Sequence, residues 1–266
     1  MIEAAGLAKR FRVAAARRAA GWRRAEPAFV DAVSDVSFVA PDASITGLLG
    51  PNGAGKTTSL RMLAGLIAPD AGRLAVDQFD VAKEPRAALA RLGVLSDARG
   101  LYPRLTAREN IVYFGRLHGM EVDAAQGRAE LLARMLDMTP LLDRRADGFS
   151  QGERMKTALA RALVHDPPNI VLDEPTNGLD VLATRALRES LRLLRTPDGG
   201  SKCILFSSHV MSEVERLCDR VVIVSNGRTV AAGTVSELLE RTGEDDFEEA
   251  FVRLAFAPSA SIGQTA

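Results

Sequence analysis

Apolar positions along this chain fall into two kinds of pattern. Short continuous apolar runs occur at 44–49 (SITGLL), 170–172, 203–207 and 221–224. Runs of that length without polar alternation suit strands buried on both faces of a parallel sheet. Residues 72–76 and 92–95 read as further strands. Between about Ala98 and Val164 the spacing turns helical, through TARENIVYFGRLHGM, AAQGRAELLARMLDM and FSQGERMKTALARAL. A helix is also predicted from roughly Lys56 to Gly65, and Asn226-Gly227 between VVIVS and RTVAA reads as a hairpin turn. After Gly243 the acidic cluster Glu244, Asp245, Asp246, Glu248 and Glu249 opens a predicted terminal helix that frays toward SASIGQTA. The whole is an α/β core interrupted by a helical segment.

The length of 266 residues suits one large domain, or a domain carrying an inserted subdomain. Basic and acidic residues balance at 34 each, so no overall field favours nucleic acid or anionic lipid. The start, MIEAAGLAKRF, has no apolar core of a secretory signal, and no stretch approaches 18 uninterrupted apolar residues. Cys203 and Cys218 lack metal-binding spacing and read as reduced thiols of a cytoplasmic chain. Residues 13–28, VAAARRAAGWRRAEPA, are rich in Ala and Arg. They suit either a basic amphipathic helix touching a membrane face or, more simply, a solvated insertion between two strands.

Candidate chemistry begins at GPNGAGKT, residues 50–57, which matches G-x-x-x-x-G-K-[ST] between a predicted strand and a predicted helix. Gly50, Gly53 and Gly55 let successive backbone N–H groups turn inward as an anion nest, and the following helix adds its positive end. Pro51, Asn52, Ala54 and the following Thr58 complete the loop, Lys56 reaches the β- and γ-phosphates, and the Thr57 hydroxyl suits Mg²⁺. The pattern specifies a nucleoside triphosphate site. Asp173 closes the apolar strand before it and fits a carboxylate that holds Mg²⁺ through water. Glu174 follows at once, placed to polarise an attacking water. His209 follows the strand ILFSS, at an end where α/β sheets place ligands, although a lone His is more often structural. Ser150-x-x-Glu153 is by itself a helix capping box.

GPNGAGKTT, FSQGE, IVLDEPTNGLD and FSSHV occur in the order and spacing of the ATP-binding subunits of ABC transporters, and the chain resembles that family over roughly residues 1–240. The resemblance implies a P-loop NTPase core of the RecA-like kind. A small antiparallel β subdomain and an inserted α-helical subdomain at about 98–164 would flank it, with 241–266 as a C-terminal tail. FSQGE stands where the family usually carries Leu-Ser-Gly-Gly-Gln: Phe149, Gln151 and Glu153 depart from it, while Ser150 and Gly152 are kept. By the same resemblance Ser150, Gln151 and Gly152 would face the ATP of a second subunit. Asp180 would lie in the D-loop, His209 would be the switch histidine, and Phe11 would stack on adenine. A core position in the first strand is the plainer reading of Phe11, and Trp22 is a weak rival to it. Where the family usually has a Mg²⁺-ligating Gln, alignment puts Asp97, with Ser96 as the alternative one residue away.

GVLSDARGLYPRLTARENIVYFGRLHGM, ALVHDP and LFSSHVMSEVERLCD are most similar to ATPases of sodium-export systems, and exporters of drugs, lipid or polysaccharide share much of the wording. The expected cofactors are ATP and Mg²⁺. The expected partners are an integral-membrane permease and a second ATPase subunit, a copy of this chain, at the inner face of the cell membrane. A soluble ABC-type ATPase working on nucleic acid would carry a long coiled coil, zinc cysteines or a second cassette, and none is visible in the sequence.

Overall fold

The computed structural model describes residues 1–13, 28–96 and 100–256. In chain order the elements are β1 (Ile2–Val13), β2 (Ala28–Ala40), β3 (Ile45–Leu49), α1 (Lys56–Leu63), β4 (Ala71–Val76), β5 (Phe79–Asp80), α2 (Pro85–Leu89) and β6 (Leu92–Leu95). There follow α3 (Ala107–Leu117), α4 (Val122–Met135), α5 (Gln151–Leu163), β7 (Asn169–Asp173), α6 (Val181–Arg195), β8 (Cys203–Ser208) and α7 (Met211–Leu217). The chain then forms β9 (Arg220–Ser225), β10 (Arg228–Gly233), α8 (Val235–Thr242) and α9 (Phe247–Phe256).

The strands form one curled sheet in the order β5-β4-β1-β2-β10-β9-β3-β8-β7-β6. From β9 to β6 every pairing is parallel, while β1, β2, β4 and β5 pair antiparallel. The continuous apolar runs have the predicted cause. Ile45, Ile170, Leu172, Ile204 and Phe206 point into one hydrophobic cluster, and their alternates Leu48, Val171, Cys203 and Leu205 point into a second. Helices cover both faces, so no position in these strands needs to be polar. The turn at Asn226-Gly227 carries positive φ at both residues, +50° and +73°, as the hairpin reading requires.

Helices α3, α4 and α5 pack on one another, with α5 beside β6. Each of α3 and α5 starts at a full capping box, Thr106 with Glu109 and Ser150 with Glu153. The terminal helix α9 is held to the core: Phe247, Phe251 and Leu254 are buried, and the Ser225 hydroxyl donates to the Ala255 carbonyl at 2.7 Å. Among the described residues no helix is long and apolar enough to cross a membrane. The Arg-rich segment 14–27, with Trp22, lies outside the described residues.

Candidate functional site

Three parallel strands deliver their carboxyl ends to one edge of the sheet, where open α/β sheets bind ligands. β3 ends at the glycine-rich loop, β7 at Asp173, and β8, which lies between them, at Ser208. Two loop glycines are required by geometry. A Cβ on Gly50 would sit 2.1 Å from the Val224 carbonyl oxygen, and one on Gly55 would sit 2.6 Å from that of Ala32. Gly55 also has φ +102° where it caps α1, a conformation other residues adopt only with strain.

Lys56 opens α1 and is buried. Its Nζ donates to the Gly50 carbonyl at 2.6 Å and lies 3.5 Å from Glu174 Oε1. Burial pushes the ammonium pKa down, and the Glu174 carboxylate opposes that shift. The Thr57 hydroxyl donates to Asp173 Oδ1 at 3.2 Å. Thus Thr57 and Asp173 bring a hydroxyl and a carboxylate oxygen together. Both are hard oxygen donors suited to Mg²⁺, which would take its remaining ligands from phosphate and water. His209 Nδ1 contacts Glu174 Oε2 at 2.8 Å; a carboxylate only accepts, so Nδ1 carries the proton in that contact. Behind them the Thr176 hydroxyl donates to Glu213 Oε2 at 2.5 Å, tying the loop after Glu174 to α7.

Lys56, Thr57, Glu174 and His209 line a cleft of about 460 Å³. Its walls include Asn52, Gly53, Ala54, Gly55, Thr58 and Glu174, with Val30 and Ala32 of β2 and Asn177 at the sides. The place of β2 beside the loop and the part of Asn177 escaped the sequence reading. Their contribution depends on which strand lies beside the loop, and no local motif records that. Phe11 is paired with Val30 but lies one strand further out, 39% exposed and not among the cleft-lining side chains. Asp97 lies outside the described residues. Its neighbour Ser96, at the end of β6, borders a separate hollow shared with Asp173.

Ser150 is elsewhere. With Gln151, Gly152, Glu153 and Asp180 it lines a second cleft, of about 710 Å³, whose walls share no residue with the first among the described residues. The Ser150 hydroxyl accepts the Glu153 N–H at 3.2 Å, and the Glu153 carboxylate accepts the Ser150 N–H at 2.7 Å. That backbone N–H, with Arg144 nearby, holds the Glu153 pKa below the usual range. Asp180 caps α6 in the same way, accepting the Ala183 N–H at 2.8 Å. Gly152 stands so close to α6 that a Cβ there would meet Ala183 Cβ at 3.2 Å. Two helix N-termini therefore border one cleft, and both favour an anion. The helix α6 was not read from the sequence, although Asp180 ahead of VLATRALRESLRLLR is a cap signal followed by helical spacing.

The family model for the ABC transporter matches residues 33–177. The ABC transporter ATP-binding protein NatA of Bacillus subtilis (strain 168) is 44% identical over 84% of this chain and 90% of that protein. The Nod factor export ATP-binding protein I of Burkholderia lata is 41% identical over 82% of this chain and 72% of that protein. A solved ATP-binding subunit of an ABC transporter superposes with a TM-score of 0.77 at 27% identity, covering 95% of this chain and 98% of that one.

Proposed function

The chain belongs to the ABC transporter family as an ATP-hydrolysing, ATP-binding subunit, and from that premise we propose that two copies close head to tail on two ATP molecules to drive a separate membrane permease, with sodium ion as the exported cargo. The observation that carries the pairing is the separation of the two clefts. Lys56, Glu174 and His209 converge on one, while Ser150 and Asp180 line the other. Each copy then offers its partner the half of the site that its own cleft lacks.

Within such a site the loop amides and Lys56 bind the phosphates. Thr57 and Asp173 would hold Mg²⁺, with Asp97 as a further candidate ligand, and the bound ion would supply charge neutralisation at the phosphates. Glu174 orients and polarises the water, His209 fixes the Glu174 carboxylate and faces the terminal phosphate, and Phe11 contributes an aromatic face on the adenine side. Ser150 and Gly152 present N–H groups and a hydroxyl to the ATP of the opposite copy. Binding closes the pair and hydrolysis releases it, so ligand contacts present in only one state drive the cycle. The subunit works at the cytoplasmic face of the membrane through its permease.

Sodium is favoured because the wording of the sequence resembles ATPases of sodium-export systems, and NatA is similar over 90% of its length. A second reading, export of a drug, lipid or polysaccharide by a related exporter, draws on the similarity to the Nod factor export protein. The two separate in one assay: co-express the chain with its permease and follow ATP-dependent efflux of radioactive sodium. Efflux above that of a Glu174→Gln control supports sodium. Sodium-independent ATPase activity with no efflux sinks it and leaves the second reading.

A further inference from the structure

Asp173 and Glu174 must act at fixed positions, yet the backbone between them is not relaxed. Glu174 has φ +47°, a region that a residue with a Cβ occupies only where its surroundings over-determine it. One side chain touches both acids. Ser207, fully buried on β8, is the cross-strand partner of Asp173. Its Oγ donates to Asp173 Oδ1 at 2.7 Å and accepts the backbone N–H of Glu174 at 3.0 Å. The polarity is forced, because a carboxylate only accepts and an amide N–H only donates. The bridging group must donate and accept from a single atom, and among small strand-compatible side chains only a hydroxyl does this well.

We propose that Ser207 is a positioning residue for hydrolysis. Its hydroxyl locks the Asp173 carboxylate toward Thr57 and holds the strained backbone of Glu174 so that the Glu174 carboxylate meets His209. This rests on the reading of Glu174 as the group that polarises the attacking water. Without the hydroxyl, Asp173 loses a charge-assisted hydrogen bond and the part-buried Glu174 N–H is left unpaired. The Glu174 turn is then free to relax, and its carboxylate leaves the position set by His209 and Lys56. Nucleotide binding through the loop amides does not run through Ser207, so the loss falls on turnover.

The test compares Ser207→Thr with Ser207→Val, a pair of equal volume that differs by hydroxyl against methyl, with Ser207→Ala beside them. Steady-state kcat and KM for ATP, equilibrium ATP binding and the thermal midpoint are measured on the full-length protein. The Val and Ala variants are expected to lose about ten- to a hundredfold in kcat, the range found when groups that orient reacting ligands are removed, with KM and ATP binding little changed. The Thr variant is expected to keep most of the wild-type kcat. Equal turnover in the Thr and Val variants overturns the proposal. So does a Val variant that loses ATP binding and thermal stability in step with turnover, which marks a purely structural hydroxyl. Glu174→Gln separates the two levels. Wild-type turnover in that variant removes the reading of Glu174 and the role of Ser207 with it, whereas lost turnover there beside normal turnover in Ser207→Val removes only the role of Ser207.

Discussion

The two clefts of this molecule are built by the same device and equipped differently. Each begins at a helix N-terminus whose amides favour an anion: α1 behind the glycine loop in one, α5 and α6 in the other. In the first cleft, buried Lys56 and the acids Asp173 and Glu174 back the amides, with His209 against Glu174. In the second, Ser150, Glu153 and Asp180 are spent on helix caps, Glu153 is also paired with Arg144, and Lys156 is paired with Asp137. On the proposed reading the first cleft holds and activates a triphosphate, and the second completes the site of the opposite copy. Cleft volume is a poor guide to chemistry here, since the second cleft is the larger.

Substitutions that strike one cleft and spare the other break or sharpen this contrast. The largest effect is expected from Ser150→Arg, which places a bulky cation where a phosphate of the opposite copy would approach. Turnover should fall by at least the order of 10²–10³-fold typical of a lost transition-state donor, while ATP binding by the isolated chain stays intact. Parallel loss of binding and turnover, read by fluorescent-nucleotide titration and phosphate release, would return Ser150 to a simple cap.

Gly55→Ala strikes the first cleft. Its φ of +102° and the 2.6 Å approach to the Ala32 carbonyl force the loop to shift. The strain is about 1–2 kcal/mol before any clash, so ATP affinity should weaken about tenfold or more. Unchanged affinity by calorimetry would show that the nest tolerates a side chain.

The smallest effect concerns neither cleft and serves as a control. Burial, aided by the stacked ring of His118 3.6 Å away, pushes the His165 pKa down to about 4 from 6.5. Between those values the unfolded chain binds a proton that the folded chain refuses, so stability falls as pH drops from about 6.5 to 4. His165 is partly exposed, which limits its share to roughly 1–2 kcal/mol. His165→Gln should flatten that part of the thermal-midpoint profile without changing the ATPase KM, and an unaltered slope would contradict the assignment.

What was legible in the sequence is local. The glycine loop, the Ser150 capping box and the Asn226-Gly227 turn each complete their geometry within eight residues, and all were read directly. Strands β3, β7, β8 and β9 were legible because both faces are buried, which removes any polar alternation. Contributions that cross the sheet were not. The wall formed by Val30 and Ala32 depends on where β2 lands, and the Ser207 bridge depends on β8 lying between β3 and β7. FSSH offered a signal, two hydroxyls ending an apolar strand, but not their partners. The signal for α6 is local as well: Asp180 caps a stretch with helical spacing.

The most direct measurement of the central claim is a cross-link between the clefts. Asn52 and Ser150 are both exposed, and Cys203 and Cys218, whose thiol pKa values burial raises, are poor competitors for a thiol reagent. In a Glu174→Gln background, Asn52→Cys protein and Ser150→Cys protein are mixed with a short bifunctional thiol reagent, with and without Mg²⁺ and ATP. The expected result is a covalent dimer joining one variant to the other, formed when ATP is present and absent without it. ATP binding with no cross-linked dimer, or cross-linking that ignores ATP, would contradict a site completed by a second copy.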